Sequence, residues 1–171
     1  AKYERAEQHL RRAVELRERE LGSDDSATLD SRNSLGVLLN HMGHTAEAIA
    51  LHEETLKIRQ ATLGLGHRDT LVSMHNLASA CQDSGQFDKA LSLHKQTLEM
   101  MKTHLGPDDR DTLRSMADLA CALESVGEHD QALPLFVETL EWQKAKFGPD
   151  HQNTLKTMSN LATVYADARK F

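Results

Sequence analysis

"LGPDDRDTL" (105–113) sets three aspartates, Asp108, Asp109 and Asp111, behind a Gly-Pro pair. Two readings compete: an acidic loop offering hard oxygen ligands to a cation, or a joint between helices. The counterparts of the stretch decide between them. "LGSDDSATL" (21–29), "LGLGHRDTL" (63–71) and "FGPDHQNTL" (147–155) recur at a step of 42 residues. Gly22, Gly64, Gly106 and Gly148 stay fixed, as do Thr28-Leu29, Thr70-Leu71, Thr112-Leu113 and Thr154-Leu155. The acids do not: Gly66 stands for Asp108, His67 for Asp109 and Ala27 for Asp111. The spaced acids, central glycine and terminal glutamate of a calcium loop are also missing. An acid just before a helix is instead well placed to cap free N–H groups and to meet the positive end of the helix dipole.

The same step runs through the rest of the chain. Leu35, Leu77, Leu119 and Leu161 form one column, Ala6, Ala48, Ala90 and Ala132 another, and Gly43, Gly85 and Gly127 a third. Several columns in one register identify a repeat protein. Each unit carries two helical patterns. Leu71, Met74, Leu77, Ala78 and Cys81 follow one helix face, and Gly85 interrupts it as a glycine does past a helix C-terminus. Phe87, Ala90, Leu91, His94, Leu98 and Met101 then mark a second face. The spacing predicts first (A) helices over 27–42, 69–84, 111–126 and 153–168. Second (B) helices are predicted over 3–20, 45–62, 87–104 and 129–146.

The expected organisation is a single all-α repeat domain of about eight helices. An orphan B helix (1–22) is followed by repeats 23–64, 65–106 and 107–148 and a final A helix (149–171). Neither end carries a polar capping element of the kind a terminal repeat needs. The chain is therefore expected to be a piece of a longer array.

The helix pair resembles the tetratricopeptide repeat. Its Leu-Gly/Ala pair stands here as Leu35-Gly36, Leu77-Ala78, Leu119-Ala120 and Leu161-Ala162, and the central alanine of its second helix as Ala48, Ala90 and Ala132. The usual unit has 34 residues. The 42-residue form, with an extended B helix and the runs "MHNLA" (74–78) and "MSNLA" (158–162), is similar to the kinesin light chain type. It also resembles arrays attached to bacterial signalling kinases and to NTPase-containing immune receptors. The proline that often opens helix A is absent, with Ser26, Arg68, Arg110 and Gln152 in its place, so a less sharp helix start is expected.

The resemblance implies a right-handed superhelical solenoid of antiparallel helix pairs whose A helices line a concave groove for an extended peptide or a partner helix. With Leu35 and its equivalents committed to the core, the opposite stripe of each A helix would face that groove. It comprises Asp30, Asn33, Ser34, Val37, Asn40 and His41 in the first unit, and Val72, His75, Asn76, Ser79, Gln82 and Asp83 in the second. The third unit gives Arg114, Ala117, Asp118, Cys121, Glu124 and Ser125, and the fourth Lys156, Ser159, Asn160, Thr163, Ala166 and Asp167. In the family an asparagine clamps the bound peptide backbone, because an amide supplies both a donor and an acceptor. That column reads Ser34, Asn76, Asp118, Asn160 here. The competing reading has these amides bonded only to neighbouring helices or water. The column Asp30, Val72, Arg114, Lys156 runs from acidic to basic, so Arg114 and Lys156 could meet an acidic stretch; a solvated face is the alternative. The expected contact set is Asn33, Ser34, His75, Asn76, Ser79, Gln82, Arg114, Asp118, Lys156 and Asn160.

Other classes of function find little support. The net charge is −6 with both signs interspersed, which disfavours a nucleic-acid partner. No window approaches the ~18 apolar residues of a membrane span, and residues 1–22 are charged and lack the apolar stretch of a signal peptide. Two cysteines, Cys81 and Cys121, make no disulfide framework, and a cytoplasmic setting is expected. Ten histidines are scattered without metal-ligand spacing, so no metal or other cofactor is expected. His52, His94 and Phe136 share a column where the family has a large apolar residue, which predicts packing. "GLG" (64–66) follows a helix, not the strand a phosphate loop requires. Cys121 lacks a consistent histidine partner. With no catalytic constellation, the expectation is a non-enzymatic scaffold for a protein or peptide ligand. The alternative is an architectural segment that self-associates through its terminal helices or regulates a fused signalling domain.

Overall fold

The computed structural model describes residues 2–168, and of residues 167 and 168 only the backbone. The Asp167 side chain of the polar stripe and residues 169–171 of the expected final helix therefore lie outside what is described. Among the described residues eight helices run α1 (Lys2–Leu21), α2 (Ser26–His41), α3 (Thr45–Leu63), α4 (Arg68–Asp83), α5 (Phe87–His104), α6 (Arg110–Ser125), α7 (His129–Phe147) and α8 (Gln152–Ala168). The described residues contain no strand. Each helix falls within one residue of the span that the repeat pattern predicts. The odd-numbered helices are the B helices and the even-numbered ones the A helices.

Two compact units divide the chain at residues 93 and 94, inside α5. In the first, α2 packs between α1 and α3, and α4 packs on α3. Leu29, Leu35, Leu39, Ala48, Leu56, Leu71, Met74 and Leu77 are buried there. In the second, α7 packs between α6 and α8, around Met101, Leu113, Met116, Leu119, Leu123, Ala132, Phe136 and Leu140. The predicted packing column is realised, since His52, His94 and Phe136 are all buried.

The joints have a repeated physical cause. Each turn from A to B helix closes with two crossed hydrogen bonds. His44 N–H donates to Leu39 O at 2.9 Å and Gly43 N–H to Asn40 O at 3.0 Å. Gln86 and Gly85 repeat the pattern on Cys81 and Gln82, as Glu128 and Gly127 do on Leu123 and Glu124. This closure needs a left-handed residue after the helix, and Gly43, Gly85 and Gly127 sit at φ 81°, 79° and 82°.

Each turn from B to A helix ends in a side-chain cap. Asp25 accepts from Ala27 N–H and Asp109 from Asp111 N–H, both at 2.9 Å. His67 and His151 do the same through Nδ1, from Asp69 and Asn153 N–H at 3.2 Å. The missing proline thus does not blunt the helix start; a cap at one repeat column sets it. The aspartates of the opening stretch have separate work. Asp109 caps α6, Asp108 pairs with Lys146 at 3.0 Å, and Asp111 lies in the first helical turn. Among the described residues no group of three or more His, Cys, Asp or Glu side chains could hold a metal ion.

A second column ties B helices to A helices in the first unit. The Arg17 guanidinium donates to Ala27 O and to Ser31 Oγ. Arg59, one period later, donates to Asp69 O at 3.1 Å and Ser73 Oγ at 2.9 Å. In the second unit the column holds Met101 and Gln143, both buried. There Ser115, the counterpart of Ser73, has a buried hydroxyl without a hydrogen-bond partner.

Candidate functional site

The polar stripe of each A helix lies on the side away from Leu35 and its equivalents. In the first unit it is already organised by its own hydrogen bonds. Asn76 Nδ2 on α4 donates to Asn33 Oδ1 on α2 at 2.8 Å. About two helical turns further on, Asn40 Nδ2 donates to Asp83. The first pair uses one donor of Asn76 and the carbonyl of Asn33. It leaves Asn76 Oδ1 and Asn33 Nδ2 as an acceptor and a donor held in fixed positions, both on half-buried residues. Asn76, of the column Ser34, Asn76, Asp118 and Asn160, thus bonds a neighbouring helix, and this bond does not exhaust the hydrogen-bonding capacity of the pair.

Other expected contacts are placed less favourably. His75 is only 3% exposed, so its ring is packed rather than presented. Ser34 and Ser79 donate back to the carbonyls of Asp30 and His75 one turn earlier in their own helices, at 2.9 and 3.1 Å. Such bonds are local helix chemistry and need no ligand. Gln82 is half-buried on α4. Asp30, the acidic end of the charge column, is not free: the Arg59 guanidinium reaches it from α3. Sequence reasoning missed this contact because it needs a side chain from the B helix to cross to the polar face. The shared period of Arg17 and Arg59, each followed 14 residues later by a serine, was the available signal.

In the second unit, Asn160 Nδ2 on α8 donates to Cys121 Sγ on α6 at 3.2 Å. Arg114, exposed, and Asp118, half-buried, lie on α6, and Lys156 is exposed on α8. A cavity of about 220 Å³ opens beside the Asn160–Cys121 contact, with Glu124, Phe136 and Val164 in its wall. Burial pushes the Cys121 thiol up, with Asp118 and Glu124 adding to the effect against Lys156 and Asn160. A thiol raised in this way stays protonated at neutral pH, which is the opposite of an activated nucleophile.

No described helix is long and apolar enough to cross a membrane. The tetratricopeptide repeat profile matches the chain in overlapping spans, residues 1–61, 31–103, 69–141 and 122–171. No curated protein matches the sequence. Among solved structures, the chain is similar to the nearly identical tetratricopeptide-like repeats of a kinesin light chain-like protein from Podosopora anserina. It is 26% identical over 98% of this chain and 80% of that one, with a TM-score of 0.79. A single-substitution form of that protein gives 26% identity over 98% and 79% of the two chains, with a TM-score of 0.81. BtubC (BKLC) from P. vanneervenii shares the fold at 21% identity, covering 100% of this chain and 68% of its own, with a TM-score of 0.80. Helix pairs in a 42-residue register, capped and closed at the same columns, agree with these matches, and the chain belongs to the tetratricopeptide repeat family, in its kinesin light chain-like form.

Proposed function

We propose that the chain is a non-enzymatic interaction module that takes an extended segment of a partner protein along the polar stripe of its A helices. The observation that carries this reading is the Asn33–Asn76 pair. A peptide bond offers one donor and one acceptor, and the pair holds one of each ready without the cost of ordering two free side chains. Asn160 supplies an amide in the second unit, and the exposed cations Arg114 and Lys156 suit an acidic portion of the ligand. Ser34, Ser79, Gln82 and Asp118 complete the proposed contact set, from which His75 is withdrawn because it is buried. Tetratricopeptide repeats are in general protein-interaction scaffolds, which agrees with this reading.

The test is a peptide-array screen followed by titration of the hits against Asn76→Ala/Asn160→Ala. The double variant is expected to bind roughly tenfold or more weakly, about 1.4 kcal/mol, while its circular dichroism is unchanged. Unchanged affinity would sink the stripe as the binding surface.

A further inference from the structure

A different opening lies on the other side of α2. A cavity of about 440 Å³ runs between α1 and α3 with α2 beneath it. Its apolar lining includes Val14, Leu35 and Leu51, one from each helix. The size suits one or two side chains of a ligand.

The rim is ionic and specific to this repeat. Arg32, a buried residue of α2, is held by Glu18 at 2.7 Å and lies 3.1 Å from Glu54. Arg11 is shared between Glu7 and Glu47, and Arg12 pairs with Glu15. In the lining itself Arg11 and Arg32 stand against Glu15, Glu18, Glu47 and Glu54, an excess of two negative charges. One period on, Glu18, Arg32 and Glu54 are replaced by Gln60, Met74 and Gln96, so the cluster is not a general feature of the repeat.

Arg32 itself points to a ligand. It is 8% exposed and lines the cavity, and its Nη1 has an ion-pair contact with Glu54 at 3.1 Å but no hydrogen-bond acceptor. A buried guanidinium N–H left without an acceptor is costly. A peptide carbonyl entering the cavity would supply that acceptor.

We infer that this cleft between α1 and α3 docks a short basic segment of a partner protein. A leucine-sized side chain sits on Val14, Leu35 and Leu51. Flanking lysine or arginine side chains meet Glu47 and Glu54, which are about half exposed. One backbone carbonyl accepts from Arg32 Nη1. The surface is distinct from the A-helix stripe and selects the opposite charge.

The probe is a capped, fluorescent Lys-Lys-Leu-Arg-Leu-Lys peptide titrated against the whole chain, with methyl NMR on Val14, Leu35 and Leu51. The expected result is a saturable shift of those methyls and a roughly tenfold loss of affinity in Glu47→Lys/Glu54→Lys. Glu47→Gln/Glu54→Gln, which keeps the hydrogen-bonding groups, is expected to lose less. Asn76→Ala is expected to change nothing, which separates this site from the stripe. No methyl shift up to about 1 mM peptide would overturn the proposal. So would equal affinity for the peptide with its leucines changed to serine, since diffuse charge attraction alone would then account for binding.

Discussion

Arg17 and Arg59 in the first unit and Met101 and Gln143 in the second occupy one column of the repeat, and they solve one packing problem in two ways. In the first unit a long cationic side chain, exposed at Arg17 and buried at Arg59, hands its N–H groups to a carbonyl and a serine of the next A helix. In the second, Met101 fills the column with apolar volume and Ser115 is left without a partner. A column on the A helices varies as well, but already inside the first unit, with Arg32 set against Met74 there and Met116 and Met158 in the second. Burial opposes the charge on Arg32, and Glu18 and Glu54 outweigh it, so its pKa is raised above the ordinary value. The comparison teaches that the helix-pair scaffold asks for a long, space-filling side chain here and accepts either chemistry. The ionic choice adds direction: it sends Arg59 through to Asp30 on the polar face and places Arg32 under the cleft.

The largest effect is expected from removing one latch. Arg59→Ala leaves the Ser73 hydroxyl and a cavity behind, and should cost about 4 kcal/mol. The pair Arg59→Met/Ser73→Ala copies the apolar solution of the second unit and should stay within about 1 kcal/mol of the parent. Native-state hydrogen exchange reads both, since the loss should appear in α3 and α4 amides. Equal loss in the two variants would break the comparison.

Next comes His52, which shares its repeat column with Phe136 of the second unit. Burial lowers its pKa from 6.5 to about 4. The folded protein therefore keeps the ring neutral while the unfolded chain takes up a proton. The contribution is fully present above pH ~6.5 and is lost as pH falls toward 4, by about 3 kcal/mol in all. Denaturant titrations from neutral to mildly acidic pH measure it, and His52→Leu should flatten that part of the profile. The ring also explains Gly36: a Cβ there would come within 2.6 Å of it, whereas the same column holds Ala120 in the second unit. Gly36→Ala should cost about 2 kcal/mol, less in the His52→Leu background.

A smaller effect sharpens the same contrast. Ser115→Ala removes a buried hydroxyl that bonds nothing and should stabilise by about 1 kcal/mol, while Ser73→Ala should destabilise by a similar amount. Thermal or urea unfolding of the two single variants gives the signs directly. Last, Asp109→Ala removes the α6 cap and should cost about 1 kcal/mol. Asp108→Ala removes only an exposed pair with Lys146 and should cost under about 0.5 kcal/mol. Their amide exchange rates in the first turn of α6 distinguish a cap from a surface ion pair.

The helices were legible because each boundary is written locally. Gly43, Gly85 and Gly127 end A helices through a backbone conformation that few other residues adopt, and Thr-Leu opens the next face at a constant interval. The helix caps were half legible. Asp25 and Asp109 look like caps in sequence, but His67 and His151 do so only once Nδ1 is seen on the i+2 amide. At the candidate site, residue identities on the stripe followed from helical periodicity, yet their bonding did not. Whether Asn76 faces a ligand or Asn33, and whether Asp30 is free or held by Arg59, depends on distances between helices.

By itself, then, the sequence determined the 42-residue register, the eight helices and the division of each A helix into a packed and a polar face. These follow from side-chain periodicity and turn chemistry acting over a few residues. Only the tertiary structure decided that His75 is packed away, that Cys121 is a neutral thiol under Asn160, and that the first repeat opens a charged cleft over Arg32. Those outcomes depend on which side chains from separate helices come within hydrogen-bond reach, and a repeat period fixes helix order without fixing that.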